Sequence, residues 1–176
     1  MYLNGASTSR LEIRPLKLSD IPVWETFFEN NPSLPYLGLN LRLNKRDQST
    51  SWVKRQLERY DKGLYGHHAL IHKESKKFIG QCGLLRQEIE GKKELEIGYH
   101  ILPQYWGKGY ATEAALKFRD YAFENKLNDT LISVIDIRNI ASQNVARKIG
   151  MQKGEQIRCF NLDVLIFRIQ ISEWRN

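Results

Sequence analysis

Cysteine is scarce in this chain. Cys82 and Cys159 are the only two, far apart and each in an apolar run. That excludes a disulfide scaffold and a cysteine zinc site, and the expectation is two buried, inert thiols. Long apolar runs are lacking too. None approaches the roughly 20 residues that span a bilayer. The N-terminus "MYLNGASTSRLEIRP" has no apolar signal core. A cytoplasmic protein without a membrane partner is expected. Histidine numbers four. His68 and His72 would suit a metal on a helix, but "HHALIHK" reads as a strand, so no metal is expected. No repeat or low-complexity linker divides the chain, and residues 1–176 read as one domain. Blocks of consecutive basic residues are also missing, although 27 basic against 20 acidic residues leave a net charge of +7. Such a surplus attracts polyanions, either nucleic acid or a phosphorylated cofactor. Its scatter points to no specific nucleic-acid site.

What is present is alternating secondary structure. "RLEIRPLK" alternates apolar and polar residues as a strand does. Ser19 is placed to cap a helix over "DIPVWETFFENN", with Ile21, Trp24, Phe27 and Phe28 on one face. "STSWVKRQLERYDKG" predicts a second helix, with Trp52, Leu57 and Tyr60 toward the core and Gly63 as its stop. "GHHALIHK", "KFIGQCGLLRQE" and "KKELEIGYHIL" follow as strands with turns at "KESKK" and Gly91, an antiparallel meander. "GYATEAALKFRDYAFENK" is a helix, "TLISVID" a short strand, and "NIASQNVARKIG" a helix stopping at Gly150. A terminal hairpin of "MQKGEQIRCF" and "LDVLIFRIQI" closes the chain. The class is α+β, a mixed, mostly antiparallel sheet of about seven strands flanked by about four helices.

The stretch "PQYWGKGYATEA" carries the chemistry. Gly107 and Gly109 let backbone approach a ligand closely. The helix that follows offers free N–H groups and the positive end of its dipole, and Lys108 adds a charge. A strand, a glycine loop and a helix in that order favour a bound phosphate. A Walker loop needs Ser or Thr after "GK", where this chain has Gly109. A dinucleotide fingerprint needs a third glycine, where it has Thr112, and a βαβ unit before it.

"LEIGYHILPQYWGKGYATEA" resembles the acetyl-coenzyme A loop of the GNAT N-acetyltransferase superfamily, [RQ]-x-x-G-x-[GA]. Trp106 stands where the general pattern has Arg or Gln. "YWGKGYATEA" is similar to the RimJ/RimL branch of ribosomal-protein N-terminal acetyltransferases. "NIASQNVARKIGM" resembles that branch's N-x-x-S-x-x-V-x-x-K-x-G-[FM] helix, and "RLEIRPLKLSD" fits its first strand. The resemblance spans nearly the whole chain and implies a single-domain GNAT fold with acetyl-CoA as cosubstrate.

It also implies roles. Backbone N–H groups of Trp106, Gly107, Lys108, Gly109, Tyr110 and Ala111 would bind the pyrophosphate, with a hydroxyl from Thr112. Ile101 and Leu102 would pair with the pantetheine amides, and one of their N–H groups would serve the oxyanion. Asn139 and Asn144 would meet the coenzyme, and Arg147 a phosphate. An amine acceptor must lose a proton, its pKa being ~10.4 for a lysine-type amine and ~7.7–8.0 for an α-amine. Glu96 is the first candidate base and His100 the second; alternation places both, with Gly98, on one strand face. Many relatives carry a tyrosine acid where this chain has Ala146, so Ser142 or water is left to protonate the thiolate. Tyr36, Trp52 and Tyr65 are candidates for an acceptor pocket or for core. The acceptor implied is a small-molecule or peptide amine, a ribosomal protein among them. A monomer or a homodimer through the terminal strands fits equally. The alternative is a non-catalytic coenzyme A-binding module.

Overall fold

The structure is a computed structural model that describes residues 2–40, 42–159 and 161–174. Leu41, and Phe160 of the terminal hairpin, lie outside the described residues. Among these residues seven strands form: β1 (Leu11–Pro15), β2 (Tyr65–His72), β3 (Phe78–Ile89), β4 (Lys92–Ile101), β5 (Thr130–Asp136), β6 (Gln152–Cys159) and β7 (Leu162–Gln170). Four α-helices connect them: α1 (Ile21–Trp24), α2 (Lys45–Asp61), α3 (Tyr110–Glu124) and α4 (Ile140–Lys148).

The sheet runs β1-β2-β3-β4-β5-β7-β6. Every neighbouring pair is antiparallel except β4 and β5, which are parallel and share one registered pair, Glu96 with Ile132. The β3–β4 turn uses Glu90 and Gly91 at φ 48° and 75°, the left-handed geometry a tight hairpin requires. One sheet face packs against α3 and α4 through Phe118, Phe123, Ile97 and Phe167. The other packs against α1 and α2 through Trp24, Phe27, Val53 and Leu102. Cys82 is fully buried, as expected, whereas Cys159 is only partly buried because it lies on the edge strand β6.

The first helical segment differs from expectation. It breaks into a 3-10 turn at Leu18–Asp20, the short α1, and a second 3-10 turn at Glu25–Phe28. Ser19 does not cap it. The Asp20 carboxylate instead accepts from the Lys17 N–H at 2.8 Å and from Arg14 at 2.7 and 2.8 Å. The apolar face survives, with Trp24 stacked on Phe27 at 4.3 Å. α2 begins before the expected Ser49, because the Asn44 side chain accepts from the Asp47 N–H at 2.9 Å and caps it there. Its fully buried core residue is Val53; Trp52, Leu57 and Tyr60 are half-buried.

Candidate active site

Beyond Glu96 and Ile132 the parallel pair β4–β5 comes apart. α3 follows one strand and α4 the other, so both helix N-termini face the gap. A cavity of about 560 Å³ occupies it. Its lining unites most of the residues singled out in the sequence: Glu96, His100, Ile101, Trp106, Gly107, Gly109 to Thr112, Asn139, Ser142 and Asn144.

At one end lies the glycine loop. Gly107 and Gly109 sit at φ 73° and 80°, where a side chain would be strained. Gly109 is the N-cap of α3 and brings no side chain to satisfy the first-turn N–H groups. Those groups have no acceptor within the helix and carry the positive end of its dipole. An anion fits that end.

The middle of the cleft is the end of β4. The Leu102 N–H donates to the Ile79 carbonyl at 2.9 Å. The β3–β4 register is unbroken from Gly80 with Ile101 back to Ile89 with Lys92. Antiparallel ladders alternate, so the N–H and C=O of Ile97, Tyr99 and Ile101 point away from β3 and toward β5. The Ile97 carbonyl accepts from the Ser133 hydroxyl at 2.8 Å, and the Ile101 carbonyl from the Trp106 indole at 2.6 Å. Facing the gap are then the Tyr99 amide groups and the Ile101 N–H. Leu102 is corrected: its N–H is engaged in the sheet, and its side chain lies in the core beneath α1.

At the far end, where the strands part, stands Glu96, 9% exposed. Its carboxylate accepts from the Gln87 side chain and from the Val134 N–H at 3.4 Å. Burial raises its pKa, and the hydrogen bonds from Gln87 and Val134 oppose that only in part. His100 shares the strand face, four residues further on, which is about 13 Å along an extended strand. Between them Gly98 has no side chain, and the His67 ring fills the space: a Cβ there would lie 2.5 Å from His67 Nε2. His100 rests edge-on against Trp52 at 4.8 Å and His67 at 5.0 Å. Desolvation pushes its pKa down to about 4, so near neutral pH it is uncharged.

A family model for the acetyltransferase (GNAT) domain matches residues 10–152. This chain belongs to the GNAT acetyltransferase family. It is 35% identical over 164 residues to the uncharacterized protein YkkB of Bacillus subtilis strain 168, covering 91% of this chain and 92% of that one. An acetyltransferase from Agrobacterium tumefaciens strain C58 superposes with a TM-score of 0.79 at 27% identity, over 97% of this chain and 96% of that one. RimL, a ribosomal L7/L12 α-N-protein acetyltransferase in complex with coenzyme A, shares the fold at a TM-score of 0.78 and 15% identity, over 94% and 97% of the two chains. The GNAT assignment agrees with the cavity, whose helix end without a side-chain cap and gap-facing strand amides fit a phosphate and an amide-bearing arm.

Within this acetyltransferase some expected roles shift. The ammonium of Lys108 lies 5.6 Å over the Tyr105 ring rather than in the cavity. Arg147 is also corrected: its guanidinium packs over Phe167 and donates to Asn144 Oδ1 at 2.9 Å, while Lys148 is the α4 cation on the cavity wall. Asn139 caps α4 by accepting from the Ser142 N–H at 3.1 Å. Tyr99 was missed. Strand alternation puts it on the α4 face, and its hydroxyl donates to the Ser142 carbonyl at 2.8 Å. Burial drives its pKa far up, so it stays a protonated donor. Among the described residues no group of three His, Cys, Asp or Glu side chains is placed to hold a metal. No helix of the described residues is long and apolar enough to cross a membrane.

Trp106 offers a test of the loop. Replacing it by Phe keeps the ring and deletes the bond to Ile101, worth about 0.5–1.5 kcal/mol net. Affinity for coenzyme A should fall by about two- to tenfold in calorimetry.

Proposed function

We propose that this acetyltransferase moves the acetyl group of acetyl-coenzyme A directly to a primary amine, the best acceptor being a peptide N-terminal α-amine. The coenzyme supplies the acyl group as a thioester, whose C–S bond breaks as the amine C–N bond forms. The chain's residues do the rest. Glu96 takes the amine proton, directly or through a water. The N–H groups of Tyr99 and Ile101 face the carbonyl oxygen. The Ser142 hydroxyl or water returns a proton to the sulfur, whose unperturbed pKa of ~8.5 demands no strong acid. Gly107 to Thr112 hold the phosphates.

The observation that carries this reading is the position of Glu96 at the registered β4–β5 pair beyond which the strands part, on the wall of the same cavity that the first turn of α3 lines. The acceptor class rests on charge. The acids lining the cavity are Glu96 and Asp136, and Asp136 is held by Arg138 at 2.7 and 2.9 Å. Arg138 in turn lies 5.2 Å over the Tyr36 ring. Lys148 adds a second cation. Walls with one unpaired carboxylate suit a monoamine beside peptide carbonyls better than a polyamine or an aminoglycoside, each of which brings several positive charges.

A screen of N-terminal peptides, polyamines and aminoglycosides, read by free thiol release, tests this. Peptides should lead. Preference for polyamines would overturn the acceptor class. Coenzyme binding with no turnover on any amine would make the chain a coenzyme A-binding module.

A further inference from the structure

The first turn of α3 contains a contradiction. A helix end that is to hold a polyanion carries an acid, Glu113. Like charge there opposes binding, within reach of the same dipole that favours it. The fold answers with the segment before β1. The Glu113 carboxylate accepts from the Thr8 hydroxyl, from the Ser9 hydroxyl at 3.0 Å, and from the Arg10 N–H at 2.8 Å. Arg10 Nε adds an ion pair at 2.6 Å. The same guanidinium donates through Nη1 to the Lys108 carbonyl at 3.0 Å, inside the glycine loop. It lies 4.4 Å over the Tyr110 ring, the first residue of α3. Its Nη2 would be 3.5 Å from a Cβ built on Gly109. One side chain thus touches the loop, the cap and the first turn.

We propose that Arg10, with Thr8 and Ser9, is a positioning element for the coenzyme. It cancels the Glu113 charge at the phosphate-binding helix end and, by holding the Lys108 carbonyl, turns that acceptor away from the phosphates. The proposal rests on the coenzyme site argued above. Desolvation favours the neutral Glu113 carboxyl, but the bonds from Thr8, Arg10 and Ser9 outweigh it and keep the pKa below the usual carboxylate value. The acid is therefore ionised at working pH and needs its partner.

The test is a charge cycle read as the Kd for coenzyme A in calorimetry. R10Q leaves Glu113 uncompensated and should weaken binding about tenfold at low salt. That loss should shrink as salt rises, because the screening length falls from about 10 Å at 0.1 M to about 3 Å at 1 M. E113Q should bind within about threefold of wild type, and R10Q/E113Q should recover most of the R10Q loss. A clasp acting only as a structural tie predicts the reverse: the double variant would bind as weakly as R10Q, at every salt concentration. That result, or wild-type affinity in R10Q, overturns the proposal. If R10Q does not fold, as judged by circular dichroism, E113Q and the double variant still decide. Tight binding by the double variant upholds the charge account, and loss of binding in both overturns it. Failure of the wild type to bind coenzyme A would instead remove the coenzyme site itself.

Discussion

Glu96→Gln is expected to lower kcat/KM by about two to three orders of magnitude while coenzyme A affinity stays within about twofold. The amine arrives protonated at neutral pH, with a pKa of ~7.7–8.0 for an α-amine and ~10.4 for a lysine-type amine. A base at the reaction point must remove that proton. Glutamine keeps the size of Glu96 and can still accept from Gln87 or the Val134 N–H, the two groups that hold the carboxylate. Folding should therefore survive, and a neutral side chain in a buried position removes a desolvation penalty. The pH profile gives the sharper signature. Burial raises the Glu96 pKa, so wild-type kcat/KM should climb as the pH passes that raised value, and this limb should vanish in E96Q. His100→Gln is the control. A histidine whose pKa is depressed to about 4 is a weak base, and its ring is held against Trp52 and His67. Full activity in E96Q with loss in H100Q would move the base to His100.

Much of this was legible in the sequence, and what was not has physical reasons. β5 could be read because "TLISVID" is a short run dominated by Leu, Ile and Val, buried along most of its length. The glycine loop could be read because positive φ at Gly107 and Gly109 is a backbone demand that few other residues meet. The phase of the β4 ladder could not. Whether Leu102 or Ile101 faces the gap depends on which residue bonds Ile79 on the neighbouring strand. The rotation of α4 failed for a similar reason. Packing of Ala146 and Ile149 into the core sets which basic residue meets the cavity, and Ile140 misleads the pattern by standing 57% exposed. Tyr99 was within reach, since the alternation that placed Glu96 on one face puts Tyr99 on the other. Arg10 and Glu113 were out of reach, since they are 103 residues apart and each reads alone as a solvated charge.

Buried histidines on the two faces of the sheet should make the protein acid-labile well above the carboxylate range. His67 and His68 sit inside the fold, and His100 is desolvated among Phe27, Trp52 and His67. Desolvation lowers His68 and His100 to about 4, and takes His67 well below its ordinary value. In the unfolded chain each would titrate near 6.5. Between those values the unfolded state binds more protons than the fold, so stability falls as pH falls. The contribution is intact above about pH 6.5 and lost progressively toward pH 4, by up to about 3 kcal/mol for each of His68 and His100. Glu96 opposes the trend. Its folded pKa is raised, so acidification relieves the strain of its buried charge. Asp136 and Glu113, whose pKa values are lowered, add to the loss only at lower pH. Three histidines against one glutamate leave the net sign set by the histidines. Urea melts at pH 7.5, 6, 5 and 4.5 should show the midpoint dropping from pH 6 downward, with H100Q flattening part of the slope. A midpoint constant from pH 7.5 to 5 would mean that these rings are hydrated and titrate as free histidines do.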